Sequence, residues 1–332
     1  MSSPIRMGII GLGAFGAKIL QPISYFHTKE ELQVVAVCDS KPEVARALAV
    51  QHGIPNWFPS HQQMLDEIPL DLVYIATPPS THERITKDVI EKGIHVFCEK
   101  PLASSIQEAR SMLRLAENAK VVHALHFGQN YLPGLNTFQR MLDKGYLGTI
   151  ENINLNLLYP CWPPEWQQND WIGSREGGFL LEQGIHFIQA IQRLFGRITY
   201  VESNVSYPEA TQSEDRIQAT MILENGTKVF IEGHTGISSE EDVSLTACGS
   251  EGTIRFDFRG LSAGKAGAPL ESVSYKNELP PTWILTHIIN SIHGKPAQIY
   301  DFRAGYEAQV VLEKLRQGEN RLINLEPYYE YE

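Results

Sequence analysis

Ile5-Arg6-Met7-Gly8-Ile9-Ile10-Gly11-Leu12-Gly13-Ala14-Phe15-Gly16 is the stretch that decides the fold. A short apolar run ends in glycines spaced GxGxxG, and a helical pattern opens behind them. In that setting Gly11 makes a tight turn, Gly13 lets a backbone approach a pyrophosphate, and Gly16 lets helix and strand pack closely. The helix opened by Ala14 and Phe15 points free N–H groups and a favourable dipole at an anion. Glycine triplets also arise by chance; the strand before and the helix after are what give this one weight.

Working outward, the same pattern repeats. Gln33–Cys38, Leu72–Ala76, His95–Cys98 and Val121–Ala124 are short runs rich in apolar, often β-branched residues, as expected of strands buried on both faces. Helical stretches lie between them at Pro42–His52, His82–Lys92 and Ser105–Asn118. Strands alternating with helices predict βαβ units on a parallel sheet. The second run ends in Asp39, about 20 residues beyond the glycines, where an acidic residue would accept the ribose hydroxyls of an adenosine. Asp39 favours NAD, since it would repel a 2′-phosphate. Ser40 and Lys41 follow at once and would suit that phosphate, which keeps NADP as the alternative. The plainer reading of Asp39 is a helix N-terminal charge before Pro42.

Beyond about residue 145 the pattern changes. Ile150–Leu158, Thr199–Ser206, Ile217–Leu223, Lys228–Gly233, Val243–Cys248 and Gly252–Phe258 read as consecutive strands, with Asn225-Gly226 as a hairpin turn. They predict an antiparallel sheet, interrupted by a helix over Gly178–Leu194 and closed by helices over Trp283–His293 and Asp301–Arg316. Leu261–Pro269, rich in Gly and Ala, reads as a flexible loop. The fold class is α/β followed by α+β, divided at residues 1–123 and 124–332.

Composition removes several functions. The chain has 332 residues, which suits two domains, and a formal charge of -11 with no basic block. Nucleic acid and anionic membranes are therefore poor partners. Four scattered cysteines form neither a CxxC nor a disulfide framework. His123 and His126 lack further ligands, so no metal is expected. No apolar h-region or membrane-length span is present, and a cytoplasmic location is expected.

Three further blocks complete a resemblance. Ala76-Thr77-Pro78-Pro79-Ser80-Thr81-His82 follows the third strand, and Cys98-Glu99-Lys100-Pro101-Leu102 follows the fourth. Gly177-Gly178-Phe179-Leu180-Leu181-Glu182-Gln183-Gly184-Ile185-His186 is similar to a GGxxLxDxGxH motif. With the glycine loop, and over nearly the whole chain, these resemble the Gfo/Idh/MocA oxidoreductases. The resemblance implies an N-terminal Rossmann domain followed by a C-terminal open, mainly antiparallel sheet domain. It implies hydride transfer between a nicotinamide and a carbinol or keto carbon of a sugar, amino sugar or cyclitol. It also implies a homodimer or homotetramer. An exposed apolar sheet face would drive such assembly.

The same resemblance makes Lys100 the catalytic acid or base and His186 its partner, with Glu182 where relatives carry Asp. The chemistry agrees. A lysine at a strand's carboxyl end faces the ligand crevice of an open α/β sheet, and desolvation would bring its pKa toward the working range. Glu182 and His186 are four apart and would share a helix face. Gln189 stands where an aspartate is frequent, and its role is expected to be structural. Thr77, Pro78, His82 and Glu99 join Gly11, Gly13, Ala14, Phe15, Gly16, Asp39, Ser40 and Lys41 as cofactor candidates. Tyr131, Trp171 and Arg175 are substrate candidates. Tyr159-Pro160-Cys161-Trp162-Pro163-Pro164-Glu165-Trp166 through Asp170-Trp171-Ile172 is dense in aromatics, as a carbohydrate lid or a loop folded over the sheet would be. An NAD-dependent glycosidase and a non-catalytic dinucleotide-binding regulator are the competing functions.

Overall fold

The computed structural model describes residues 3–20, 31–167, 171–275 and 283–330. Gln168–Asp170 of the aromatic loop lie outside the described residues, as does the side chain of Trp166. The chain forms two compact units. One comprises Met1–Gly128 with Leu279–Tyr306, the other Gln129–Glu278 with Glu307–Glu332.

The first unit is built on β1 (Ile5–Ile10), β2 (Leu32–Cys38), β3 (Asn56–Phe58), β4 (Leu72–Ile75), β5 (His95–Cys98) and β6 (His123–Leu125). They form one sheet in the order β3-β2-β1-β4-β5-β6, with every pair parallel. Strand order reverses between β1 and β4, the place where open α/β sheets leave a crevice at their carboxyl ends. Helices Pro42–His52, His82–Glu91 and Ile106–Ala119 stand where the sequence puts them. Strand β3 and the helix His61–Glu67 are additional. Three residues of strand leave too little periodicity to read.

The boundary expected at 123/124 falls at Gly128/Gln129, and a later segment returns to this unit. The reason is pairing at the sheet edge. Leu125 N–H donates to the Tyr300 carbonyl at 2.7 Å, and Phe302 N–H donates to His123 Nδ1 at 3.1 Å. The Arg110 guanidinium donates to Tyr306 Oη at 2.9 Å, across 196 residues of sequence.

The second unit holds a nine-stranded sheet. Its strands are β7 (Ile150–Tyr159), β8 (Ile198–Ser206), β9 (Arg216–Leu223), β10 (Lys228–Thr235), β11 (Asp242–Gly249), β12 (Gly252–Asp257), β13 (Gly260–Lys265), β14 (Glu271–Ser272) and β15 (Ile323–Asn324). The order is β14-β13-β12-β11-β7-β10-β9-β8-β15. Asn225-Gly226 turns between β9 and β10 with Gly226 at φ +85°. Two expectations are corrected. β10 runs parallel to β7, because β8 and β9 intervene in sequence before the chain returns beside β7. The expected loop over Leu261–Pro269 begins as strand β13, paired antiparallel to β12. Its small residues let neighbouring backbone approach, as where an added Cβ on Gly264 would come within 2.5 Å of the Pro269 carbonyl.

One face of this sheet is apolar, with Ile153, Leu155, Leu157, Ile231 and Leu245 all buried. The other carries a polar row. Gln218 stands opposite Glu232, Glu232 beside Asn156, and Asn156 opposite Ser244. Among the described residues the outer face is therefore mostly polar, with Phe230 43% exposed and Leu158, Ile222 and Tyr200 half-buried on it.

Candidate active site

Four strand ends of the first unit meet around a cleft of about 480 Å³. Gly11 and Gly13 follow β1, Asp39 and Ser40 follow β2, Pro59 and Ser60 follow β3, and Thr77 and Pro78 follow β4; all line it. Gly11 has φ +88°, a conformation open to glycine. An added Cβ on Gly16 would lie 1.8 Å from the Gly11 carbonyl, whereas one on Gly13 would meet nothing within 4 Å. The loop is thus packed from behind at Gly16 and open in front at Gly13. Ala14 begins the helix Ala14–Lys18. Phe15 is 41% exposed.

The Asp39 carboxylate is fixed twice. Oδ2 accepts from Leu12 N–H at 2.8 Å, and Oδ1 accepts from Lys41 N–H at 2.9 Å. The two readings of Asp39 therefore meet, since it ties its own turn to the glycine loop while lining the cleft. Lys41 is exposed and is not part of the lining. Gln62 and Arg84 do line it, although no sequence motif singled them out. A glycine cradle open at Gly13, a helix N-terminus behind it and a fixed carboxylate at the rim fit a dinucleotide.

His82 is corrected. Its ring is fully buried, with Nε2 2.8 Å from the Thr77 carbonyl and Nδ1 3.1 Å from that of Pro101. Burial lowers its pKa, against the pull of these carbonyls. It clasps the Thr77 and Pro101 segments together from behind instead of facing the cleft.

Glu99 and Lys100 follow β5 with opposite surroundings. Glu99 is buried. Tyr74 Oη donates to its Oε1, His126 Nδ1 lies 2.6 Å from the same oxygen, and Lys100 N–H donates to Oε2 at 3.2 Å. Burial pushes this carboxyl up, but His126, Tyr74 and Lys100 outweigh burial and hold it at about 2. Lys100 is half-buried, its Nζ 5.9 Å from the Phe15 ring centroid. The lysine beside the glycine loop is thus seated on an ionised, buried carboxylate. Sequence reading missed Tyr74 and His126 as its holders; the signal available was a carboxylate at the end of a buried strand, which needs partners.

In the second unit Gly177-Gly178 enters a π turn, Leu180–Gly184, that leads into the helix Ile185–Phe195. Gly178 has φ +102°, and an added Cβ there would lie 2.3 Å from the Glu214 carboxylate. Glu214 Oε1 accepts from Leu180 N–H at 2.7 Å, an acid at a helix start. The expected helix therefore begins with a wider turn, which changes the four-residue spacing assumed for Glu182 and His186. Both are buried. Glu182 Oε2 accepts from Gln167 at 3.3 Å. The His186 carbonyl accepts from Asn130 Nδ2 at 3.1 Å.

Gln189 binds Asn130 as well, and Arg193 Nη1 donates to the Asn130 carbonyl at 2.6 Å. These bonds clamp the Asn130-Tyr131 turn onto the helix, with Tyr131 buried. Trp171 is half-buried, and its carbonyl accepts from Ser174 Oγ at 2.7 Å. Arg175 lies over the Tyr207 ring, 3.1 Å from its centroid. It lines neither the cleft above nor the aromatic one in its own unit, because Tyr207 holds its guanidinium. No group of His, Cys, Asp and Glu able to hold a metal occurs among the described residues. No helix among them is long and apolar enough to cross a membrane.

This geometry defines a dinucleotide-binding α/β unit joined to an open-sheet unit. Residues 5–127 match the model of an oxidoreductase family with an NAD-binding Rossmann fold, and residues 135–255 match the GFO/IDH/MocA C-terminal domain. The chain belongs to the Gfo/Idh/MocA oxidoreductase family, and its cofactor is NAD. It is 28% identical to D-glucoside 3-dehydrogenase of Escherichia coli (strain K12), with 96% of each chain covered. It is 26% identical to inositol 2-dehydrogenase of Rhizobium meliloti (strain 1021), over 58% of this chain and 55% of that one. Levoglucosan dehydrogenase in complex with NADH shares the fold, with a TM-score of 0.85 at 19% identity, covering 97% of this chain and 99% of that one.

Proposed function

We propose that the chain is a dehydrogenase or ketoreductase acting on a secondary carbinol of a neutral pyranoside, with D-glucosides as the leading class and cyclitols next. The observation that carries this reading is Lys100, placed after β5 and seated on the buried Glu99 carboxylate. The glucoside and inositol dehydrogenases similar to this chain act on compounds of that class by name.

Gly11, Gly13, Ala14, Phe15, Gly16, Asp39, Ser40, Thr77 and Pro78 would hold the dinucleotide, which supplies the hydride acceptor or donor when bound. Lys100 takes the hydroxyl proton during oxidation and returns it during reduction. Its three donors also orient the substrate oxygen. His186 is the second proton-transfer group. Glu182 accepts from a substrate hydroxyl.

Asp39 makes NAD the preferred dinucleotide over NADP. The four free cysteines suit a reducing compartment such as the cytoplasm. Association into a homodimer or homotetramer uses the polar outer face of the second sheet.

The test is absorbance of NADH during incubation with NAD and a panel of glucosides, free sugars and inositols. Reduction of NAD with a glucoside is expected. No reduction with any member would overturn the proposal, and release of the aglycone without net NADH would favour a glycosidase.

A further inference from the structure

Beneath Lys100 the first unit buries a polar cluster, and the register of three neighbouring strands builds it. Ile75 on β4 pairs with Cys98 on β5, and Cys98 pairs with Leu125 on β6. Glu99 and His126 are each the next residue past this last rung, and Tyr74 stands one rung before it. Both backbones are fixed there. The Glu99 N–H donates to the Ile75 carbonyl at 2.9 Å, and the His126 N–H donates to the Cys98 carbonyl at 2.7 Å.

The side chains converge on one oxygen. Tyr74 Oη donates to Glu99 Oε1, and His126 Nδ1 lies 2.6 Å from it. An ionised carboxylate only accepts, so Nδ1 carries the hydrogen of that contact and the tautomer of the ring is fixed. Nε2 is left on the opposite side, where an added Cβ on Gly128 would come within 3.1 Å of it. Phe97 walls in the cluster, with its ring centroid 4.6 Å from that of Tyr74 and 5.0 Å from that of His126. Tyr74 and Glu99 are buried. The His126 side chain is 23% exposed, so it is the member open to solvent.

A carboxylate placed this deeply needs partners to remain charged. Burial pushes Glu99 up, and His126 leads the opposing influences, ahead of Tyr74 and Lys100, that hold it at about 2. The other titratable groups facing it, among the described residues, are neutral near neutral pH. Burial raises Tyr74 on β4 and Cys98 at the end of β5, and it lowers His82 on the helix His82–Glu91. Lys100 and His126 are therefore the groups that can set positive charge against Glu99. Lys100 follows Glu99 in the chain, and its N–H donates to Oε2 at 3.2 Å.

From this arrangement we infer that His126 is a positioning residue for the hydride-transfer reaction, acting through Glu99: the Tyr74–Glu99–His126 triad keeps one negative charge fixed beside Lys100 and so sets the pH at which that lysine can take the hydroxyl proton. Without the His126 donor, burial favours the protonated carboxyl and the charge is lost. A nearby anion makes an ammonium hold its proton more tightly, so losing the anion lets Lys100 release its proton at lower pH. The inference rests on Lys100 being the proton carrier.

The test measures kcat/KM against pH for oxidation of methyl β-D-glucopyranoside by NAD, in the full-length protein. The variants are Glu99→Gln, His126→Phe, which removes the donor, and His126→Gln, which offers an amide donor in its place. Thermal melting and NADH titration check each fold. The limb on which oxidation rises with pH should move about one unit to lower pH in Glu99→Gln and in His126→Phe. His126→Gln should recover most of that shift. Adding His126→Phe to Glu99→Gln should move the limb no further, since one residue acts through the other. A limb that stays in place in both single variants, or that moves further in the double variant, would overturn the proposal whatever the loss in overall rate. If the glucoside is not oxidised, or Lys100→Ala turns over normally, the proposed function fails instead. NMR of histidine-labelled protein then still decides whether Glu99 and His126 are coupled. The His126 ring, identified by its absence in His126→Phe, should carry its proton on Nδ1 when neutral and should titrate about one unit lower in Glu99→Gln. A neutral ring protonated on Nε2, or a titration that Glu99→Gln leaves unmoved, would remove the triad.

Discussion

Lys100 and Glu99 are adjacent in sequence, yet one faces the glycine loop and the other is sealed beneath it. Lys100→Ala removes the proposed proton carrier and leaves Gly11, Gly13 and Asp39 untouched. It is expected to lower kcat by ~10²–10⁴-fold, with NADH affinity close to that of the unaltered protein. Steady-state rates alongside fluorescence titration of NADH measure both, and near-normal turnover would remove Lys100 from the chemistry. Lys100 was legible because Glu-Lys-Pro stands in a motif behind a strand run. Tyr74 and His126 were not. They lie 25 and 27 residues from Glu99, and only the β4-β5-β6 register brings them together. A local sequence pattern carries no trace of such a register. The same limit explains Arg84 and Gln62, which reach the dinucleotide cleft from the helices His82–Glu91 and His61–Glu67.

At the scale of elements, the start of the helix carrying His186 depends on a buried acid from another segment. Burial raises the Glu214 pKa, while Arg316 and the Leu180 N–H pull it down without prevailing. A carboxyl raised by folding binds its proton more tightly in the native state. Its stability contribution is intact below the unfolded pKa and is lost as pH rises through the folded one. Glu214→Gln keeps an acceptor for Leu180 and cannot ionise. Its melting temperature relative to the unaltered protein should therefore be more favourable at pH 8 than at pH 5; the opposite trend would mean the carboxylate is stabilised by Arg316. The helix Ile106–Ala119 offers a simpler case. Ser105 Oγ accepts from Glu108 N–H at 3.2 Å, and Ser105→Ala is expected to cost about 1 kcal/mol in urea unfolding. That helix and Pro42–His52 were readable to within a residue or two from caps and periodicity. The π turn was not, because Gly177-Gly178 marks a break without saying that Glu214 would fill it.

For the molecule as a whole, the two-layer plan of parallel sheet then antiparallel sheet was readable from the change in period near residue 145. The polarity of the outer face was underestimated, since Asn152, Asn154 and Asn156 alternate with Ile153, Leu155 and Leu157 within one apolar-looking run. The proposed association across such a face would be wet and reversible, resembling non-obligate contacts more than a cut core. Light scattering should give a multiple of 37.3 kDa that falls on dilution; a constant 37.3 kDa at all concentrations would exclude assembly. The returning segment of the first unit has a consequence for biosynthesis. At the ribosome, residues up to Gly128 emerge with the edge of their sheet unfinished, because Tyr300 and Phe302 have yet to be made. At about 5–20 residues per second, some tens of seconds of translation separate the two. The nascent chain must therefore keep its first half waiting while its second half folds, and closure of the nucleotide-binding unit is among the last acts of synthesis.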